Sequence, residues 1–417
     1  MITVMAMATS ASRGIVEASD PASRLKRVLL LLALGAVAVA MLRQSLADVV
    51  RPVDPALALR LDPDNADVAA SRAEQLLRLD PSNRAEAERL ARRALRRSPV
   101  SAAGARMLAT ARDVAGDPRM ARGLMVYSES QSRRDLPTQV WLIQEAVDHD
   151  DIPRALHHYD IALRSSEATK PFLFPVLVKA IGQPPVVTGL IDTLVARPLW
   201  AAPFLELAAR DAQDLDGLAR LLGGLAGRGY PMPTAVAGEA SARMVNAGRY
   251  ESAWLVYAAS HGHPAPALVR DPGFAHIEAV GAGPFEWMIL TGNGLSAQTS
   301  RYGARDALTY NAATGAGGVI ARQLLLLPPG AARLAGRSYE RSANSPPAQL
   351  RLTCAGSGQP ITTEAANQAT FVQDFAVPVG CPAQWLEVVV DGGDSPLGAS
   401  GAIGDLHILP GNEGRRT

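Results

Sequence analysis

Cys354 and Cys381 are the only cysteines in the chain, and both lie in its last sixth. A lone pair of thiols has two states, one disulfide or two reduced core thiols, and the compartment selects between them. Trp385 is the second residue of interest, because it falls out of phase with the apolar set Leu386, Val388 and Val390. On a strand it therefore points away from the face those residues share. There an indole either packs under a loop or stacks on a sugar ring, and Trp385 is the one candidate glycan contact. Hydrolysis of a glycosidic bond needs two carboxylates flanking one site. Glu278, Glu286, Asp374 and Glu387 are scattered and show no such pairing. His149 lies in the run DHDD, a solvated turn by composition. His157 and His158 are adjacent and cannot face one site from a helix. His261 and His263, in SHGHP, read as a helix C-terminus with its glycine cap. No metal ligand is assigned, since no Cys, Asp or Glu accompanies these histidines at ligand spacing.

The nucleotide and nucleophile motifs are equally empty. GAGGVI, at 315–320, lacks the third glycine of a dinucleotide loop and precedes a strand instead of following one. Ser296 in GNGLSAQ lacks the second glycine of a nucleophile elbow. DGGDSPLG, at 391–398, carries two Asp but reads as a hairpin turn in preference to a calcium loop. The chain is expected to be no enzyme and to need no cofactor. Its net charge of +1 gives no electrostatic reason to bind nucleic acid.

What positions these residues begins at the N-terminus. Residues 28–42, VLLLLALGAVAVAML, follow Arg24, Lys26 and Arg27. Basic residues before an apolar run mark a segment inserted with its N-terminus inside. Two readings stay open. Ala38-Val39-Ala40 suits a cleavage site, whereas a retained span of about 20 residues carries the helix through Arg43 towards Leu46. The favoured assignment is a cytoplasmic tail at 1–27 and a signal anchor at 28–46. Either reading exports the remainder, which puts the bulk of the chain in the bacterial periplasm and makes a Cys354–Cys381 disulfide the expectation.

The middle of the chain is periodic. Ala87, Ala121 and Ala155 stand 34 residues apart, as do Ala219 and Ala253, with Gly189 a weaker match between. A small residue follows each anchor by seven: Ala94, Ser128, Ala162, Ala196, Ala226 and Ser260. Positions i, i+4 and i+7 share one helical face, and a small residue at a helix crossing lets two backbones approach. A unit of this length forms two antiparallel helices that bury their faces only by stacking on copies. The Arg-rich run at 89–97 is the wet side of such a helix, with Leu90, Ala91, Ala94 and Leu95 as its buried stripe. The register, with the helix tails ALRLDPDN, LLRLDPSN and ALRRSP, resembles the tetratricopeptide repeat. That resemblance implies an α-superhelix over 54–265 whose surface holds a protein partner.

From about residue 271 the period changes to short alternating runs at 284–290, 318–327, 331–339, 349–354, 371–377 and 385–390. Gly, Pro, Asn and Ser clusters separate them, which predicts an antiparallel β-sandwich over 271–411. Leu350, Leu352 and Cys354 face in while Arg351 and Thr353 face out; Phe285, Trp287 and Ile289 are expected to share a face. The order of elements, from PFEW through QLLLLPPG to WLEVVV, resembles jelly-roll carbohydrate-binding modules and the modules that follow repeat arrays in bacterial polysaccharide loci. The resemblance implies a multidomain α-then-β chain acting as an envelope scaffold in polysaccharide assembly or export. The alternative is a glycan-binding protein whose repeats are a spacer.

Overall fold

The computed structural model describes residues 21–262, 265, 269–276, 283–342 and 345–410. Most of the expected cytoplasmic tail, His263 and Glu278 lie outside the described residues. Among the described residues fourteen α-helices are followed by two antiparallel sheets, and the chain divides into two compact units, Met1–Leu142 and Ile143–Thr417.

In the first unit, α1 (Pro21–Val50) leads into α2 (Pro55–Leu61), α3 (Ala66–Leu79), α4 (Arg84–Arg97), α5 (Ala102–Val114) and α6 (Pro118–Gln131). Within α1 the stretch Val28–Val50 is long and apolar enough to cross a membrane. The turns explain the short helices. Asp54, Asn65, Ser101 and Asp117 each accept backbone N–H groups of the helix that follows, and Pro55 and Pro118 supply a preset φ at the first position. Arg106 is buried on α5 and pairs with Glu74 of α3 at 3.4 Å and with Asp135 at 2.9 Å, tying successive first helices together. The next helix, α7 (Leu136–Asp148), runs across the boundary between the units.

The second unit continues with α8 (Ile152–Ser165), α9 (Lys170–Ala180), α10 (Pro184–Val195), α11 (Ala201–Asp211), α12 (Leu215–Gly227), α13 (Thr234–Asn246) and α14 (Tyr250–Ser260). The proline-rich stretch 170–230 is helical, and α9 keeps Pro175 in its interior. Its core is aromatic: Phe174, Trp200 and Phe204 pack with ring centroids 5.6–6.3 Å apart, and the Trp200 indole donates to Asp160 at 2.8 Å. Helices α8, α10, α12 and α14 pack in sequence, each on the next. Glycine makes this approach close. A Cβ at Gly189 would lie 2.5 Å from Leu156, and one at Gly224 would lie 2.3 Å from Ile191.

The sandwich follows as β1 (Met288–Ile289), β2 (Leu295–Tyr302), β3 (Arg305–Ala312), β4 (Gly317–Leu325), β5 (Gly330–Arg341), β6 (Gln349–Cys354), β7 (Pro360–Ala365), β8 (Thr370–Val377), β9 (Gln384–Asp391) and β10 (Ala399–Pro410). The first sheet has the order β1-β4-β9-β6-β7 and the second β2-β3-β10-β5-β8, all pairs antiparallel. Between them Leu308, Ile320, Leu350, Leu352, Phe371, Leu386, Val388 and Leu406 form the core.

Three local expectations change. Only Met288–Ile289 of the run at 284–290 is a strand. The turn before it sends Phe285 into the core shared with α14 and Trp287 into the sandwich core, so the two do not share a face. The DGGDSPLG segment is no hairpin, because it joins β9 of one sheet to β10 of the other. Asp391 closes its first turn by accepting from the Gly393 N–H at 2.9 Å.

Candidate functional site

The outer face of the first sheet carries the chemistry. Register sets Leu324, Trp385 and Thr353 in one row across β4, β9 and β6. Arg322, Glu387, Arg351 and Thr363 form the next row, extending to β7. Because side chains alternate along a strand, the residues between them, Leu352, Leu386 and Val388, fill the sandwich core. Arg351 donates to Glu387 at 2.8 Å, and Glu387 is otherwise nearly buried. The Arg322 guanidinium lies over one face of the Trp385 ring, 4.5 Å from its centroid. Arg322 Nε is buried and has no hydrogen-bond partner among the described residues.

Beside this row lies a groove of about 510 Å³, lined by Arg351, Thr353, Trp385, Glu387 and the loop that follows β6. Two devices hold that loop. Cys354 is bonded to Cys381, with their Cα atoms 5.6 Å apart. The buried Gln384 side chain donates to the Cys381 carbonyl at 2.7 Å and accepts from the Leu327 N–H at 2.8 Å, which fixes the chain as it enters β9. On the other side Gly356 adopts φ +86, and a Cβ there would lie 2.9 Å from the Tyr250 hydroxyl of α14. Only glycine suits that position, for both reasons.

Helix and sheet meet in one continuous core. Ala253, Val256 and Tyr257 of α14 pack with Phe285, Leu324, Ala355 and Ala383, and Trp254 and Trp385 border them. Phe285 sits 5.1 Å from the rings of both Trp254 and Tyr257, centroid to centroid. The Tyr257 hydroxyl donates to Glu286, and Arg270 lies over the Trp254 and Tyr257 rings. Burial, then the hydrogen bond to Glu286 and its negative charge, pushes the Tyr257 phenol well above its usual range.

The other residues singled out in the sequence fall elsewhere. Ala87, Ala121, Ala155 and Ala253 are buried, each four residues past the residue that begins its helix, Asn83, Asp117, Asp151 and Arg249. In α12 that offset from Asp214 belongs to the buried Leu218, and Ala219 is half-buried one residue further on. Among the carboxylates, Glu286 serves Tyr257, Glu387 serves Arg351, and Asp374 pairs with Arg333 at 2.6 Å on the second sheet. His149 is exposed and bonds to the Glu145 carbonyl at 2.7 Å. Among the described residues no three His, Cys, Asp or Glu gather as a metal site. Arg322, Arg351, Thr353 and Glu387 were not singled out as a group by the sequence. Their only signal there is outward phase on strands that are apolar on the other side.

No family model matches the chain, and no curated protein matches it. Solved structures do. The sandwich resembles the carbohydrate-binding module TmCBM61, solved in complex with β-1,4-galactotriose, at 14% identity and TM-score 0.25, over 34% of this chain and 96% of that one. A family 4 carbohydrate-binding module matches at 16% identity and TM-score 0.26, over 34% of this chain and 99% of that one. The enzymatically active domain of bacteriophage CBA120 tailspike protein 4 matches at 11% identity and TM-score 0.23, over 30% of this chain and 19% of that one.

Proposed function

We propose that this chain is a non-enzymatic, membrane-anchored binding protein of the bacterial envelope that holds a glycan in the groove beside Trp385. The observation that carries the reading is the lining of that groove: an indole, a threonine and an ion-paired Arg351–Glu387 on one sheet. A sugar presents C–H groups on one side and vicinal hydroxyls on its rim. An aromatic ring accepts the first, while a guanidinium donates to the second and a carboxylate accepts from it. The volume falls within the range of about 300–1,000 Å³ common to small-ligand clefts. The apolar α1 and the disulfide support an anchored chain with its bulk in an oxidising periplasm. We read the stacked hairpins as tetratricopeptide-type, on the shared cap-to-alanine offset of Ala87, Ala121, Ala155 and Ala253.

The test is a glycan array probed with the full chain in detergent, followed by titration of any ligand found. Trp385→Ala and Glu387→Gln should each weaken binding at least about tenfold, and Thr353→Val several-fold, with melting unchanged for the last. A blank array, or wild-type affinity in all three variants, overturns the reading. A second reading is a scaffold whose helices hold a protein partner. It is favoured by α9, which leaves Phe172 75% and Val176 52% exposed on one side. A blank array together with partner capture that Phe172→Glu abolishes would favour it.

A further inference from the structure

The junction between α1 and the first hairpin has a geometry of its own. The uninterrupted apolar run at 28–42 rises only about 22 Å at 1.5 Å per residue, short of a hydrocarbon core of about 30 Å. To complete a span, α1 must enter the bilayer to about Ala47, roughly 29 Å from Val28. Those extra turns are not bare helix. Ala47 is fully buried against Ala58 and Val68, with Val50, Leu59 and Leu61 around them. Arg43 Nε donates to the Leu61 carbonyl at 3.0 Å, at the C-terminal end of α2. Whatever completes the span therefore brings α2 down with it.

The apolar residues left open at this junction stand beside exposed Arg43, Gln44, Ser45, Asp48 and Arg60, a mixture suited to the headgroup region. Leu46 is 46% exposed, Val49 74%, Val53 86% and Leu57 43%, continuing the lipid-suited surface of α1 past its end and onto α2. Two of the carboxylates there are engaged. Asp54 accepts from the Ala56 and Leu57 N–H groups at 3.0 Å, and Asp48 accepts from Asn65 at 3.5 Å. We propose that α2 lies in the outer membrane–water interface, with Leu46, Val49, Val53 and Leu57 in contact with lipid. Span and first hairpin then form one stiff piece seated on the bilayer, with no free tether between them. The inference rests on α1 being a retained span; it does not depend on what the groove binds.

Single-cysteine variants of the full chain test it, since both native cysteines are bridged and invisible to a thiol label. Leu34→Cys, Val53→Cys, Leu57→Cys and Leu79→Cys are each nitroxide-labelled and placed in vesicles of phosphatidylethanolamine and phosphatidylglycerol. Relative collision with dissolved oxygen and with a water-soluble nickel chelate is then measured. Leu79 is the aqueous reference: it is exposed and ends α3, about 20 Å from its start. The proposal expects Leu34, Val53 and Leu57 to favour oxygen several-fold over Leu79. Lipid signals at Leu34 with water signals at Val53 and Leu57 overturn the interfacial seat and leave the anchor standing. A water signal at Leu34 overturns both.

Discussion

Phe285→Ala tests whether the sandwich and the last helices unfold as one body. Phe285 is 1% exposed and belongs to neither element's regular structure; it fills the seam between α14 and the outer face of the first sheet. Truncating a buried Phe costs about 3–5 kcal/mol, the transfer of the ring plus the cavity it leaves. Two edge contacts, to Trp254 and Tyr257, add to the loss, because aromatic pairs contribute about 0.5–1.5 kcal/mol beyond area. Backbone groups nearby limit collapse. Leu324 N–H bonds to the Pro284 carbonyl at 2.8 Å and Ala355 N–H to the Ala383 carbonyl at 2.8 Å, so the seam walls are tied to strands. The expected loss is therefore near the upper end, about 5 kcal/mol, or roughly 10 °C of melting temperature for a unit of this size. Native-state hydrogen exchange is the decisive assay. Amides of α12 and α14 and amides of β4 and β9 should lose protection together and by the same free energy. Loss confined to the strands, with α12 and α14 unchanged, would refute a shared core.

Two further predictions concern the same unit. Replacing Cys354 and Cys381 by Ser together removes a bridge across 27 residues, worth about 3–4 kcal/mol by chain entropy. Protein prepared without reductant should show no alkylatable thiol after denaturation; two free thiols would remove the bridge and the oxidising compartment with it. Tyr257 gives an alkaline signature. Its folded pKa is raised above the usual phenol value near 10, so the stability it contributes is fully present below that pH and is lost as pH climbs past it. Above pH 10 stability should fall by up to about 1.4 kcal/mol per pH unit, and Tyr257→Phe should start lower and fall less steeply. Parallel slopes for the two proteins would show that Tyr257 is not the titrating group.

The parts legible in the sequence are those where one local constraint repeats. A helix start followed at a fixed distance by a residue at a helix crossing favours small side chains, hence Ala87, Ala121, Ala155 and Ala253. The slip to Leu218 in α12 was invisible because Gly217 takes the closest contact there, with a Cβ only 2.4 Å from the Ile181 carbonyl. Strands β6 and β9 were readable from alternation, and the Cys354–Cys381 pairing followed from the expected compartment. Strand β2 (LSAQTSRY) was not readable, being polar on an outer position of its sheet. Nor was β10, whose register shifts after Ala402 and after Gly404 and whose Asp405 sits at φ 52. Trp385 was readable as outward-facing but not as half-covered. Period gives the face of a strand, not what packs on it, and here the Arg322 guanidinium of β4 lies over the indole.

A stack of hairpins leaves an apolar face open at each end, which separate elements must close. In the first unit Ala47 and Val50 of α1 close it against Ala58 and Val68. In the second, α14 is closed by Phe285, Leu324, Ala355 and Ala383 of the sandwich. α1 and the sandwich are thus caps on their respective helices as well as elements in their own right. That dual role bears on the groove. Its loop is bridged to Cys381 on one side and lies against Tyr250 on the other, so the position of Gly356 depends on α14. On the proposed function, a ligand there would meet a site ordered before it arrives, which lowers the entropy lost on binding. The same dependence makes the sandwich a poor spacer-borne module: freeing it from α14 would expose Phe285 and Leu324 and release the groove wall at once.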